Sequence, residues 1–367
     1  MLKWKILHGH VLEMLRKIPA GVIQMAVTSP PYFGTRRYPI PNVWWGGDPD
    51  CDHDPMHFVY KGIDGGKNSP KHHIKGSDNF QSVGDLDEAF CAHCGAWWGQ
   101  LGQEPTLTMY VEHTLMWARE LRRVLRPDGT LWLNLGDTFA ASGRGLMGDG
   151  NHSLEHGTKQ ATNKGTLARV SKAPVPDGMK PQDLMLVPPT VAMALRADGW
   201  HLRSEITWAK PNAMCESIEN RPTKSTERIY LLAAGYPYFY NREDAREPAK
   251  TANQAKWDNG ENGMHSGERH KGSTRKFSAT DPTTRNWRDP WIINTQPTQV
   301  QHFAAFPEEL ATRCILAGSR PGDWVLDPFN GTGRTGQAAL KLGRNYIGID
   351  LGEDVYGSSA LMEEVTS

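Results

Sequence analysis

The chain has 367 residues, 38% of them hydrophobic and 22% charged, enough for one large α/β domain with insertions or for two domains. Its 41 basic residues equal its 41 acidic ones, which excludes a bulk polycation and confines any nucleic-acid contact to local patches. No apolar run is long enough to cross a bilayer, and the five cysteines form no disulfide framework, so a cytoplasmic protein is expected.

Lys5–Leu7 reads as a strand, Val11–Ile18 as an amphipathic helix and Val22–Val27 as a second, buried strand, which makes a βαβ unit. Thr28-Ser29-Pro30-Pro31-Tyr32 follows directly. The two prolines end the strand and stop the chain from coiling. Because Ser29 and Pro30 each precede a proline, both are held extended, which leaves the Pro30 carbonyl without a regular partner and projects Ser29 and Tyr32 outward. A hydroxyl, a free carbonyl and an aromatic face then stand together. Such a trio accepts both hydrogens of an exocyclic amino group while the ring stacks on its heterocycle, as chemistry on an extruded base requires.

From Gly34 to about Gln103 the periodicity disappears and glycine, aspartate, histidine and asparagine dominate, which predicts a loop-rich insertion over 34–103 that needs something to hold it together. Cys51-Asp52-His53 and Cys91-Ala92-His93-Cys94 supply a candidate. A Cys-x-x-Cys knuckle joined by a Cys-x-His pair predicts a closed tetrahedral zinc shell of Cys51, His53, Cys91 and Cys94, structural because no position is left for water or substrate. His57, His72, His73 and His93 are alternative ligands.

Leu107, Val111, Leu115, Ala118, Leu121 and Leu125 recur at helical spacing, with Arg126-Pro127-Asp128-Gly129 expected to close that helix and Leu131–Leu135 to form the next strand. Between Phe139 and about Gly178 no stripe is visible, and a loop ordered only on binding is expected. Lys180–Leu195 then reads as helix, and Leu202–Trp208 and Arg228–Leu232 as strands that extend the sheet. The polar stretch 241–294 carries Arg242, Arg246, Lys250, Lys256, Arg269, Lys271, Arg275, Lys276, Arg285 and Arg288, with Trp257 and Trp287 among them. Interleaved basic and aromatic residues suit phosphate contacts and base stacking, although the acids present nearly balance the charge. His302–Ala317 is expected to be helical, its start marked by Phe306-Pro307-Glu308.

A second site lies near the carboxyl end. Val325-Leu326-Asp327-Pro328-Phe329-Asn330-Gly331-Thr332-Gly333 runs from strand into glycine turn, Thr335–Leu342 is helical, and Asp350 ends the strand Tyr346–Ile349. Glycines there let a ligand approach the backbone, and an acid so placed takes ribose hydroxyls, which predicts a nucleoside pocket. Gly331-x-Gly333-x-x-Gly336 also fits the dinucleotide fingerprint of a nicotinamide oxidoreductase. The tetrapeptide between strand and first glycine, and the absence of a second half beyond Asp350, favour a single nucleoside with a sulfonium arm, S-adenosylmethionine.

These two motifs, one near each end of the chain, resemble those of the beta-ordered amino-methyltransferases of DNA, prokaryotic and phage enzymes with a circularly permuted fold. Arg126–Asn134, Trp208-Ala209-Lys210-Pro211-Asn212 and His302–Pro307 match as well. The resemblance implies a Rossmann-like, seven-stranded, mostly parallel sheet built from 1–33, 104–240 and 295–367, in which the two motif strands are neighbours and share one crevice. It implies methyl transfer from S-adenosylmethionine to a flipped base in double-stranded DNA. Ser29, Pro30, Pro31 and Tyr32 would form the catalytic turn, and Asp327, Phe329, Gly331, Gly333, Asp350 and Phe306 would hold the cofactor. His10 stands where the family usually has an acid against the cofactor adenine. Serine before Pro-Pro-Tyr points to cytosine N4, with adenine N6 as the alternative and a non-catalytic zinc-stabilised DNA-binding module more remote. Cytosine C5 chemistry would need a nucleophile in a Pro-Cys loop, which none of the five cysteines occupies.

Overall fold

The computed structural model describes residues 2–35, 37–38, 40–53, 58–59, 89–140, 175, 178–216, 218–249, 284–296, 306–352 and 357–366. The amino-terminal part contains β1 (Trp4–His8), α1 (Val11–Arg16), β2 (Ile23–Thr28), β3 (Val43–Trp45), β4 (Phe58–Val59), β5 (Ala89–Cys91) and β6 (Trp97–Gly99). Next come α2 (Leu107–Val124), β7 (Leu125–Leu135), α3 (Val187–Ala197), β8 (His201–Ala209), β9 (Thr226–Ala233), β10 (Arg246–Pro248), β11 (Thr284–Asn286) and β12 (Trp291–Ile292). The chain closes with α4 (Glu308–Gly318), β13 (Trp324–Asp327), α5 (Arg334–Lys341), β14 (Asn345–Asp350) and α6 (Ser358–Thr366).

All six residues of β2 are buried, as a parallel strand covered by helices on both faces must be. The main sheet runs β1-β14-β13-β2-β7-β9-β8-β12. Its pairs are parallel except those of β9, which is antiparallel to both β7 and β8. Seven of these strands are the expected ones, and the eighth, β12, is a two-residue addition at the edge. Val325 sits opposite Met25 and Leu326 opposite Ala26, so the two motif strands are neighbours although 299 residues separate Thr28 from Asp327. From β13 the chain goes through α5 to β14 on one side, and from β2 it goes through α2 to β7 on the other. Strand order reverses between them, which is where an open α/β sheet leaves a crevice at its carboxyl ends.

Each face has its own core. Leu15, Trp117, Leu121, Val191 and Leu195 from α1–α3 pack with Ala26, Leu131 and Leu133. Leu310, Ile315 and Ala339 from α4 and α5 pack with Met25, Val27 and Trp132 on the opposite face.

Four expectations change. The buried face of α2 is Tyr110, His113, Thr114, Trp117, Ala118, Leu121 and Val124. It keeps Ala118 and Leu121 of the expected stripe but begins on Tyr110, His113 and Thr114 instead of Leu107, Val111 and Leu115, because His113 is satisfied inside by Glu104, its Nδ1 lying 3.0 Å from the carboxylate. Arg126–Gly129 is a bulge within β7, where Leu125 pairs with Ile23 but Thr130 with Met25. The freed carbonyls of Asp128 and Gly129 accept from Phe239 and Ala234 at 2.8 and 3.0 Å, so the extra residues anchor the strand exit of β9. Helix α3 starts at Val187 rather than Lys180. Leu186 is left-handed with φ 54° and Pro188 occupies the first turn, while the Asp137 carboxylate accepts from Val187 N at 2.9 Å. Helix α4 starts at Glu308 after Pro307, with residues 301–305 outside the described ones.

The insertion is not loop alone. Strands of two or three residues form a four-stranded antiparallel sheet in the order β3-β6-β5-β4, too short to show an alternating pattern in sequence. Trp45 and Trp97 are its buried anchors. In the 241–294 stretch three of the basic residues turn towards their own hairpin of β10 and β11: Arg246 donates to Thr284, and Arg285 and Arg288 both pair with Glu247. Lys250, Lys256, Arg269, Lys271, Arg275, Lys276 and Trp257 lie outside the described residues, as do 141–174 of the expected loop and His57, His72 and His73.

Candidate active site

The two turns meet. Ser29, Pro30, Pro31 and Tyr32 line the same cleft as His10, Phe306, Asp327, Phe329, Gly331 and Asp350, an opening of about 1030 Å³. A cavity of this size accommodates a nucleoside cofactor and a planar base side by side.

Asp327 joins the two segments. Its buried carboxylate accepts from Thr28 Oγ1 at 2.7 Å, from Thr335 Oγ1 at 2.7 Å and from Phe329 N at 3.0 Å. The end of β2, the start of α5 and the glycine turn therefore converge on one group, which borders the cleft with its oxygens already taken. Burial raises its pKa to about 6, against the pull of those three donors. His10 is displaced the other way, to about 4, by burial and then by Arg16 and His113. Below pH 6.5 the unfolded chain protonates this histidine and the fold does not, so its contribution is present above 6.5 and lost as pH falls towards 4. For Asp327 the fold holds the proton between 3.8 and about 6, so its contribution is present below 3.8 and lost as pH rises through 6. The two slopes oppose. Asp327→Asn is expected to gain about 3 kcal/mol relative to the parent between pH 4 and pH 7, measured by urea unfolding across that range.

Asp350 supports the glycine turn, its Oδ2 accepting from Gly331 N at 2.9 Å and its Oδ1 from Gly352 N at 3.1 Å. Phe329 is held edge-on by Trp117, ring centroids 5.2 Å apart. Gly333 does not line the cleft. It caps α5 with φ 75°, and a Cβ there would come 2.7 Å from Met362, so this glycine is needed for packing of α6. Arg334, which sequence reasoning passed over, lines the cleft and has no acid partner among the described residues.

The Ser29–Tyr32 turn is fixed from behind. Tyr110 donates to the Pro31 carbonyl at 3.0 Å, while among the described residues the Pro30 carbonyl accepts no hydrogen bond. Tyr32 Oη donates to Glu227 Oε2 at 2.7 Å and accepts from Ser29 Oγ at 2.9 Å and Asn134 Nδ2 at 2.7 Å. Lys210 Nζ holds the other Glu227 oxygen at 2.8 Å. Burial, reinforced by Glu227, keeps the phenol far above its ordinary pKa of 10 and so protonated. The Tyr32 ring edge lies against Gly136, where a Cβ would come within 2.6 Å, so bulk at 136 would displace it. Residues 23–360 match the profile of the DNA methylase family, N6_N4_Mtase.

The chain belongs to the N6/N4 DNA methylase family. The Type II methyltransferase M.SmaI of Serratia marcescens is 40% identical to the methylase over 262 residues, covering 71% of this chain and 76% of that one. M.Cfr9I of Citrobacter freundii is 32% identical over 348 residues, with coverage of 94% and 83%. The PvuII DNA methyltransferase (cytosine-N4-specific) matches in fold with a TM-score of 0.53 at 14% identity, over 99% of this chain and 90% of that one.

In the methylase the insertion docks on the cleft through a run of rings. His10 meets Trp45 edge-on at 4.6 Å, Trp45 stacks on His113 at 5.3 Å, and His113 stacks on Trp97 at 5.6 Å. His10, which lines the cleft, thus ties it to the insertion. Cys51, His53, Cys91 and Cys94 converge, their ligand atoms all within 4.8 Å of one another. Cys51 and Cys91 sulfurs are 3.8 Å apart and Cys94 Sγ is 3.6 Å from His53 Nδ1. Tetrahedral bonds of about 2.3 Å to sulfur set sulfur atoms about 3.8 Å apart, so the donor set fits zinc. His93 is exposed and is not part of the cluster.

Neither Glu227 nor Asn134 was singled out by sequence reading. Asn134 had a signal, a lone amide inside the apolar run Leu131–Leu135. Glu227 had none, since Ser225-Thr226-Glu227-Arg228 reads as an ordinary strand entry.

Proposed function

We propose that the methylase transfers the methyl group of S-adenosylmethionine to the exocyclic N4 of a cytosine rotated out of duplex DNA. What supports this reading is the single cleft that joins the Ser29–Tyr32 turn to the Phe329–Gly331 turn. When bound, the cofactor supplies an electrophilic methyl on a sulfonium centre. Phe329 and Phe306 would flank it, Asp350 would take ribose hydroxyls, His10 would face the adenine and Arg334 the carboxylate.

Ser29 Oγ and the Pro30 carbonyl accept the two amino hydrogens and draw the nitrogen lone pair out of conjugation with the ring. Tyr32 stacks on the base, its plane fixed by its three hydroxyl partners. The rate gain comes mainly from holding two reactants in line. Serine rather than aspartate before Pro-Pro-Tyr supports cytosine. Mass spectrometry of nucleosides from treated DNA tests the assignment: N4-methylcytosine is expected, N6-methyladenine would replace cytosine by adenine, and no methylated base would overturn the reading.

The Cys51, His53, Cys91 and Cys94 cluster is proposed to hold one structural zinc ion, and the 241–294 segment to contact DNA. A location in the cytoplasm of a prokaryotic or phage-infected cell is proposed with that reaction; among the described residues no helix is long and apolar enough to cross a membrane.

A further inference from the structure

Methyl transfer to an amine asks one thing of Ser29 that a hydroxyl does not guarantee. A serine hydroxyl is both donor and acceptor, and its proton rotates freely. Facing an amino group, only the acceptor form helps; a proton pointing at the base would oppose the amine and favour an oxo group in its place.

The hydrogen-bond chain behind Ser29 removes the choice. Glu227 is a carboxylate that accepts from Lys210 at Oε1 and from Asn134 and Tyr32 at Oε2, at 2.8, 2.8 and 2.7 Å. Ionised, it can only accept. Tyr32 must therefore point its single proton at Glu227. Its two lone pairs are then taken by the Asn134 amide at 2.7 Å and by Ser29 at 2.9 Å. The Ser29 proton is thereby committed to Tyr32, and both Ser29 lone pairs are left for the cleft. All five side chains border that cleft, and Glu227 and Lys210 side chains are each 17% exposed, sheltered enough for water not to scramble the chain.

We propose that Glu227 is a positioning residue that sets the direction of the Ser29–Tyr32–Glu227 chain, so that Ser29 meets the target base as an acceptor only. The site then selects an amino-bearing base over its oxo counterpart without Glu227 touching either. This inference rests on the methyl-transfer reading above and names a residue from β9 that acts through Tyr32.

Replacing Glu227 by glutamine tests it, because an amide nitrogen turned towards Tyr32 donates, and the chain can reverse. Wild type, Glu227→Gln, Tyr32→Phe and the double variant are compared on unmethylated phage DNA, with S-adenosylmethionine binding measured separately by calorimetry. Glu227→Gln is expected to lose about 100-fold in kcat, the range for one misdirected hydrogen-bonding group at a reacting centre, with unchanged cofactor affinity. Tyr32→Phe cuts the chain, leaves Ser29 free to rotate, and loses about 10-fold by the same reasoning. The double variant is expected to recover to the Tyr32→Phe level, since reversal needs the phenol. A merely structural role predicts the opposite, a double variant no better than Glu227→Gln.

That outcome, or full activity in Glu227→Gln, overturns the proposal. Should Glu227→Gln fail to bind the cofactor, Glu227→Asp decides: it keeps an acceptor-only carboxylate, so turnover within about 10-fold of wild type supports the direction-setting role and a larger loss overturns it. Absence of methyl transfer by the wild type would instead refute the reading on which the inference rests.

Discussion

Ser29→Ala is expected to lower kcat on unmethylated duplex DNA by about 10²- to 10³-fold, the usual effect of removing one preorganised hydrogen-bonding group from a transition state. Affinity for S-adenosylmethionine should stay unchanged. The reason is where Ser29 sits. It lines the cleft on the turn proposed to meet the base, while Phe306, Phe329, Gly331 and Asp350, which line the same cleft, are the residues proposed to face the cofactor. Removing Oγ deletes an acceptor for the amine and one of the two donors to Tyr32 Oη, but leaves Asn134 and Glu227 to hold the phenol. Tyr32→Ala should cost more, since it removes the stacking surface together with the group on which Ser29, Asn134 and Glu227 converge. Calorimetry with cofactor and a radiolabelled methyl assay separate the two effects. Unaltered methylation by Ser29→Ala would contradict the acceptor role.

Metal removal carries the second large effect. One zinc per chain is expected by elemental analysis, and Cys91→Ser should lose it, open residues 34–103 to protease and abolish methyl transfer. Structural zinc contributes roughly 10–16 kcal/mol of apparent binding energy at neutral pH. A sheet of two- and three-residue strands has no comparable core of its own. The damage should reach the active site along the chain: Gly34 N donates to Gly102 O at 2.8 Å, and Gln100 accepts from Tyr38 N at 3.1 Å and donates to Ile40 O at 2.6 Å. Gly102 itself lies so close to the Tyr32 carbonyl that a Cβ would come within 2.8 Å. The turn carrying Ser29 is thus continuous with the sheet the metal is proposed to hold. A protein that is fully folded and active after exhaustive chelation would remove zinc from the account.

Much of the sheet was legible in advance because its strands are either buried on both faces or end in unusual punctuation. β2 runs into two prolines and β13 into a glycine turn, and both signals are local. The convergence of Cys51, His53, Cys91 and Cys94 was legible for the same reason, since spacing alone presents two thiolates. On α2 the apolar stripe marks the buried Ala118 and Leu121 but not the polar His113 and Thr114 that also point inward, and only the partner Glu104 explains His113. The small insertion sheet escaped notice because three residues carry no period.

By itself, then, the amino-acid order determined the two turns, the residues at their tips and the class of ligand each suits, because backbone restriction by proline and permissiveness of glycine act within a few bonds. Folding in three dimensions decided what those turns work with. Parallel pairing of β2 with β13 put Ser29 and the Phe329–Gly331 turn in one cleft, and pairing of β7, β9 and β8 brought Asn134 and Glu227 to Tyr32 and Lys210 to Glu227. Tyr32 and Asn134 lie 102 residues apart along the chain, Tyr32 and Glu227 195, and Thr28 and Asp327 299, and hydrogen bonds between them depend on register across the sheet, which no single segment encodes.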